Sequence, residues 1–61
     1  MDANEYYKNL SAQRQLGVRT NTASLINSGI SKPEAYLKAL DMDKKLFDEM
    51  ERRYKKWEEQ S

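Results

Sequence analysis

Acidic side chains in the second half of the chain are the residues whose types and spacing most suggest chemistry. Five lie close together: Asp41, Asp43, Asp48, Glu49 and Glu51. Carboxylates at such spacings can act as a general acid and base, or bind Ca²⁺. They do not follow the EF-hand spacing, and they fall at predicted helix starts or on the charged side of a predicted helix. We therefore interpret them as solvated helix surface.

The chain contains no cysteine and no histidine. Those two residue types supply thiolate nucleophiles, the usual zinc and iron ligands, and the side chain that titrates near neutral pH. We therefore expect no enzymatic activity, no metal and no cofactor. With 61 residues the chain buries only about 60% of its unfolded surface, and small domains usually need a disulfide, a metal or a partner to compensate. Association with a partner chain is the remaining source of stability.

Charge and hydropathy narrow the class of partner. Eleven lysines and arginines stand against ten acidic residues, which leaves little surplus charge to neutralise phosphates. No apolar run approaches the roughly 20 residues of a membrane span, and the first residues lack the pattern of a signal peptide. We expect a protein that stays in the cytoplasm, with no membrane association.

Residues typical of helix starts and helix ends predict an all-α fold, a small bundle of three to four short helices with a longer amphipathic C-terminal helix. Gly17 is placed as a helix stop, and Gly29 as a left-handed residue that closes a second helix, with Ile30 returning onto Leu25. The clearest signal for a helix start is at Ser31, which is followed by proline and glutamate in the first turn of the predicted helix. We predict one domain, residues 1–61, with helices over about residues 2–16, 21–28, 32–40 and 43–59. Either aspartate of residues 41–43 could cap a new helix, and the sequence leaves open whether the chain breaks there.

The last predicted helix carries an apolar face opposite a charged one. Its apolar residues recur at spacings of three and four: Leu46, Phe47, Met50, Tyr54 and Trp57. Acid-before-base pairs at i,i+4 support the charged side: 48 with 52, 49 with 53 and 51 with 55. We expect Leu46, Phe47 and Met50 to reach the core, and Tyr54 and Trp57 to form an interface. The predicted partner-binding residues are Phe47, Met50, Tyr54 and Trp57.

A second interpretation concerns the turn between the predicted second and third helices. Residues 22–40 fit a helix-turn-helix, and the Gly-Ile-Ser-Lys turn resembles that of bacterial repressors. In this alternative, Lys32, Tyr36 and Lys38 would contact nucleic acid. Ala35 and Lys38 depart from the larger apolar residues that the repressor family packs there, and the would-be reading helix has few cations.

Residues 25–40, Leu-Ile-Asn-Ser-Gly-Ile-Ser-Lys-Pro-Glu-Ala-Tyr-Leu-Lys-Ala-Leu, are followed by Asp-Met-Asp and a helix rich in glutamate and arginine. This stretch of about 30 residues resembles the C-terminal helical segments of tailed-phage portal proteins. No catalytic residue carries over from the resemblance. It implies a small phage structural or assembly protein that acts in multiple copies and is virion-associated.

The leading hypothesis is therefore a non-enzymatic helical protein–protein interaction module, which would dock the apolar face of its C-terminal helix on another subunit or on itself. The alternatives are a small helix-turn-helix DNA-binding regulator and a phage-type inhibitor of a host protein.

Overall fold

The computed structural model describes residues 2–60, which contain three α-helices and no strand. Helix α1 spans Ala3–Lys8, α2 spans Ala12–Asn27 and α3 spans Lys32–Gln60. The all-α prediction is confirmed, and the C-terminal helix is the longest, as expected. The helix boundaries differ from the prediction at three places: within the first predicted helix, at Gly17, and at residues 41–43.

The first difference is a break inside the expected first helix. Asp2 caps α1 by accepting a hydrogen bond from the amide of Glu5 at 2.9 Å, and α1 ends at Lys8. Ser11 then caps a new helix, because its Oγ accepts the amide proton of Arg14 at 3.3 Å. A serine at this position satisfies an amide that the first turn of α2 would otherwise leave unpaired. The predicted helix over residues 2–16 is therefore two helices joined by a short turn.

Gly17 does not stop α2, and the predicted boundary between residues 16 and 21 is wrong. The next residue, Val18, is 1% exposed, and its burial against α3 offsets the cost of about 1 kcal/mol that glycine carries in a helix interior. The threonines predicted as helix caps are instead internal. The hydroxyls of Thr20 and Thr22 donate to the carbonyls of Leu16 and Val18, four residues back, at 2.9 and 2.7 Å.

The end of α2 matches the prediction. Gly29 has a φ of +98°, which residues that carry a Cβ atom rarely adopt. Its amide donates to the carbonyl of Ile26 at 2.9 Å, and the amide of Ile30 donates to the carbonyl of Leu25 at 3.1 Å. These two bonds form a Schellman motif. They reverse the chain so that α3 can begin at Lys32, directly after Ser31, as the sequence indicated.

Helix α3 continues through residues 41–43, where two separate helices had been predicted. Neither aspartate acts as a cap there. Asp41 pairs with Lys45 at 3.0 Å along the helix surface, and Asp43 is 7% exposed and bound by side chains of the other helices. The 29 residues of α3 give a length of about 43 Å at 1.5 Å per residue, close to the 45 Å longest dimension of the molecule.

The core lies between α2 and the first half of α3. Its most buried side chains are small or branched: Val18, Ala35, Ala39 and Leu40. Contacts run in antiparallel order, because Arg14 near the start of α2 meets Asp43, while Leu25 near its end lines a shallow pocket together with residues 34, 37 and 38 of α3. The two helices thus form a hairpin, with α1 packed against one side of it. Among residues 2–60, no helix is both long enough and apolar enough to cross a membrane.

Candidate interaction surface

The second half of α3 extends beyond the other two helices. Every residue from 48 to 60 is exposed, because α2 begins at Ala12 and covers α3 only as far as Phe47. Large apolar side chains on this half form what we call the C-terminal stripe: Leu46 (55% exposed), Met50 (51%), Tyr54 (59%) and Trp57 (62%).

The C-terminal stripe lies on the same face of α3 that is buried in the first half. The stripe residues follow Ala39 and Asp43 at helical spacings of three and four residues, so all lie along one side of the helix. In the first half that side contacts α2, and in the second half nothing in the described chain covers it. The stripe is thus an extension of the core face beyond the core.

Predictions about the individual stripe residues have different outcomes. Leu46 and Met50, expected in the core, are more than half exposed, so that expectation is wrong. Phe47 is half-buried. Tyr54 and Trp57 are exposed, and their rings contact each other with centroids 6.1 Å apart and planes tilted by 38°. Partner binding by Phe47, Met50, Tyr54 and Trp57 stays a prediction.

A polar cluster marks the point where the covered half of α3 ends. Arg14 forms a bidentate ion pair with Asp43. Its Nη2 donates to Oδ2 at 2.6 Å, and its Nε donates to Oδ1 at 3.2 Å. The hydroxyl of Tyr6 donates to Oδ2 of the same carboxylate at 3.0 Å and accepts from Arg14 at 3.3 Å. These three residues, which we call the clamp, come from three different helices. The clamp therefore joins α1, α2 and α3 at one carboxylate.

The electrostatics of the clamp indicate a structural role. The hydrogen bond to Asp43 raises the pKa of Arg14, while burial, followed by the hydrogen bond to Asp43, raises the pKa of Tyr6. Both groups thus keep their protons at neutral pH. Three donated hydrogen bonds hold the carboxylate of Asp43 between the other two helices. The interpretation of Asp43 as solvated helix surface is wrong.

Sequence reasoning missed the clamp, although a signal was present. Asp43 interrupts the apolar positions of α3, and a carboxylate on an apolar face is rarely buried without a cationic partner. The cationic partner, Arg14, lies 29 positions earlier in the chain. The guanidinium of Arg14 lies 4.0 Å from the ring centre of Phe47, which is a cation–π contact. Phe47 is half-buried.

The other acidic residues match the interpretation as helix surface. Asp41, Asp48, Glu49 and Glu51 are all exposed. Two of the three predicted helical ion pairs form, Glu49 with Arg53 at 2.9 Å and Glu51 with Lys55 at 3.3 Å. Within residues 2–60, no group of three or more acidic side chains is arranged to hold a metal ion.

A groove of about 710 Å³ separates the first half of α2 from the middle of α3. Gly17 and Val18 of α2 line one side, and Met42, Leu46 and Met50 of α3 line the other. Leu46 and Met50 belong also to the C-terminal stripe, so the groove and the stripe adjoin at these two apolar side chains.

The residues of the nucleic-acid alternative do not form a common surface of free cations. Lys32 is exposed, but Lys38 lies 3.8 Å from the carboxylate of Glu34. Tyr36 is half-buried, with its ring edge-on to Tyr7 at 6.0 Å and its hydroxyl 3.5 Å from Oδ1 of Asn4. Burial also raises the pKa of Tyr36. Helices in a helix-turn-helix cross at about 90–120°, whereas α2 and α3 contact each other along the length of α2.

Comparison of the chain with protein-family models, curated proteins and solved structures gave no match.

Proposed function

We propose that this protein is a non-enzymatic helical interaction module that binds another protein chain through the C-terminal stripe. The observation that carries the proposal is the exposure of Leu46, Met50, Tyr54 and Trp57 on a part of α3 that the other helices do not cover. Contiguous apolar surface of this kind marks interaction sites on small soluble domains. Tyrosine and tryptophan are also enriched among residues that dominate binding energies.

The placement of the stripe supports docking of a helix in particular. In this proposal α3 is the amphipathic helix of a small helical bundle, and its second half offers an apolar face about 20 Å long, given 1.5 Å per residue over residues 46–60. A partner helix can lie along this face with its own apolar residues at spacings of three and four. The stripe continues into the groove beside α2, which extends the area available to a partner.

A finer proposal concerns the biological setting. The resemblance of residues 25–40 to portal-protein segments supports a small phage structural protein of the head or portal, or an assembly protein, that acts in multiple copies. In the alternative in which this protein inhibits a host protein, it would bind that host protein through the same C-terminal stripe. DNA binding has less support, because Lys38 and Tyr36 are engaged within the chain.

Photo-crosslinking tests whether the stripe is a contact surface in the cell that makes the protein. A benzoylphenylalanine replaces Tyr54, and in a control variant it replaces Arg52, which is exposed on the opposite side of α3. We expect light-dependent adducts from position 54 and several-fold fewer from position 52, with the adduct mass identifying the partner. Equal labelling at both positions, or none at either, would contradict the proposal.

A further inference from the structure

We infer that the C-terminal stripe is the uncovered end of a longer docking surface on α3, and that its partner is a helix carrying a lysine or arginine opposite Asp43. Residues 3–16, which we call the lid, cover the other end of that surface and move away when the partner binds. The inference rests on the proposed function and adds to it the chemistry of the partner and a means of regulation.

The docking surface is a row of positions on α3 that alternate at spacings of four and three residues. The row, which we call the seam, comprises residues 36, 40, 43, 47, 50, 54 and 57. This spacing is the heptad pattern of helices that pack side by side, and it continues for about 32 Å at 1.5 Å per residue. Every position is leucine, methionine or aromatic except Asp43. A single polar residue in such a seam selects the partner and its register.

The lid covers the N-terminal part of the seam through contacts with three of its positions. The ring of Tyr7 lies edge-on to Tyr36, with centroids 6.0 Å apart. Arg14 pairs with Asp43 at 2.6 Å and lies 4.0 Å from the ring centre of Phe47. Beyond Phe47 every seam position is exposed. The lid therefore occupies the part of the seam that a partner helix would need in order to dock along its whole length.

Gly17 marks the end of the lid and the weakest point of α2. No residue between 2 and 16 is buried, whereas Val18, directly after the glycine, is 1% exposed. Gly17 has no positive φ, and a Cβ atom at this position would meet nothing within 4 Å. Neither packing nor backbone geometry within residues 2–60 thus requires glycine here. Compared with alanine, it favours a break in the helix by about 5-fold, the equivalent of about 1 kcal/mol.

Opening of the lid about Gly17 determines which partner the seam accepts. Val18 and Ala39 belong to one core cluster, so the second half of α2 stays in place when the lid moves. Asp43 then loses Arg14, and an apolar partner would leave its carboxylate covered and without a cation, which is strongly unfavourable. A partner helix that places a lysine or arginine at this position takes over the role of Arg14.

Titration of the full chain with synthetic helical peptides tests the inference. The probes have 22 residues, the length of the seam, with leucine or isoleucine at the heptad positions and one lysine facing Asp43 in the parallel or the antiparallel arrangement. Matched control peptides carry glutamate in place of that lysine. Fluorescence of Trp57, the single tryptophan, reports binding, and the NMR resonance of the Nε proton of Arg14 reports movement of the lid.

We expect one lysine peptide to bind at least about 10-fold more tightly than its glutamate control, because the control places two carboxylates together. Saturation should shift the Arg14 resonance as its bond to Asp43 is replaced. Equal affinities for lysine and glutamate peptides, or no binding of either lysine peptide at millimolar concentration, would overturn the inference.

Variants of the lid test whether it must open, without altering the seam. Tyr6→Phe removes the 3.0 Å hydrogen bond to Asp43 and should tighten binding of the lysine peptide about 5-fold. Gly17→Ala should weaken it about 5-fold, because the break in α2 becomes less favourable. Ser24→Ala, at an exposed position of α2 beyond the glycine, is the matched control and should change binding less than about 2-fold.

Binding that is unaffected by Tyr6→Phe and by Gly17→Ala, and that leaves the Arg14 resonance unchanged, would show that the lid does not regulate the seam and would overturn the inference. Light-dependent adducts from position 54 in the cell would then leave the interaction module intact. If those adducts were also absent, the proposed function would fail as well.

Discussion

The two halves of α3 present the same face to different surroundings. In the first half that face carries Ala35, Ala39 and Asp43, and each is at most 7% exposed under α1 and α2. In the second half it carries Met50, Tyr54 and Trp57, and each is more than half exposed. The covered residues are small or paired, whereas the uncovered residues are large and apolar.

This contrast shows that hydrophobicity alone does not tell which part of a helix is covered. Alanines let two helix backbones approach closely, so a side with little apolar area per residue can still be fully packed. The large residues of the C-terminal stripe form the stronger sequence pattern, but the other helices leave each of them more than half exposed. Side-chain size along the face distinguishes the two halves better than polarity does.

The largest expected effect comes from the clamp that ends the covered half. Arg14→Met leaves Asp43 as a carboxylate that is 7% exposed and has lost its cation, which should lower the free energy of unfolding by about 3 kcal/mol. Urea unfolding followed by circular dichroism measures this change. Arg19→Met, at an exposed position of the same helix, is the matched control and should change stability by under about 0.5 kcal/mol. Equal effects from both variants would show that the clamp does not hold the helices together.

Overpacking should come next. Ala39 is fully buried, so Ala39→Leu forces α2 away from α3 and should cost about 1–3 kcal/mol although it adds apolar surface. Ala23→Leu makes the same chemical change at an exposed position of α2 and should be close to neutral. Thermal unfolding of the two variants measures the difference. If Ala39→Leu proved neutral too, the covered half would be much looser than its burial indicates.

A smaller effect is expected at Tyr6, and it depends on pH. Tyr6→Phe removes the hydrogen bond to Asp43 and should cost about 1 kcal/mol at pH 7. Because folding raises the pKa of Tyr6 above the value of 10.0 in the unfolded chain, its stabilising contribution is fully present below pH 10 and is lost as pH rises through the folded pKa.

Unfolding midpoints between pH 8 and pH 11 measure this dependence. We expect the parent to lose stability more steeply than Tyr6→Phe above about pH 10. The raised pKa of Tyr36 adds a loss that both proteins share. Identical slopes in the two proteins would indicate that Tyr6 does not hold its proton against Asp43.

The smallest effect is expected in the uncovered half. At concentrations where the protein is monomeric, Tyr54→Ala with Trp57→Ala should change the free energy of unfolding by less than about 0.5 kcal/mol, because both side chains are about 60% exposed and alanine favours helix. Chemical denaturation of dilute protein measures it. A loss as large as that of Ala39→Leu would remove the contrast between the halves.

The helix ends could be predicted where a side chain or a glycine satisfies the backbone locally. Gly29 and Ser31 are such cases, and both were identified from the sequence. Gly17 was misjudged because the burial of Val18, a tertiary effect, outweighs the local preference of glycine. The break before Ser11 depends on a cap that competes with a continuous helix, and the two outcomes differ by only about 1 kcal/mol.

The candidate surface was only partly predictable for a similar reason. Spacing alone placed Met50, Tyr54 and Trp57 on one face of a helix. How far α2 reaches along that face depends on where α2 begins and on the contact between Arg14 and Asp43. That contact joins residues 29 positions apart in the chain, and no local rule connects them.

The clamp also has a consequence for how the molecule opens. Because the carboxylate of Asp43 holds both Tyr6 and Arg14, α1 cannot detach without exposing an ion that the start of α2 also needs. Detachment of the first helix and loosening of the hairpin should therefore occur as one cooperative event. The amides of α1 and of the first turns of α2 would then exchange their hydrogens with a common opening free energy, separately from the amides of residues 48–60.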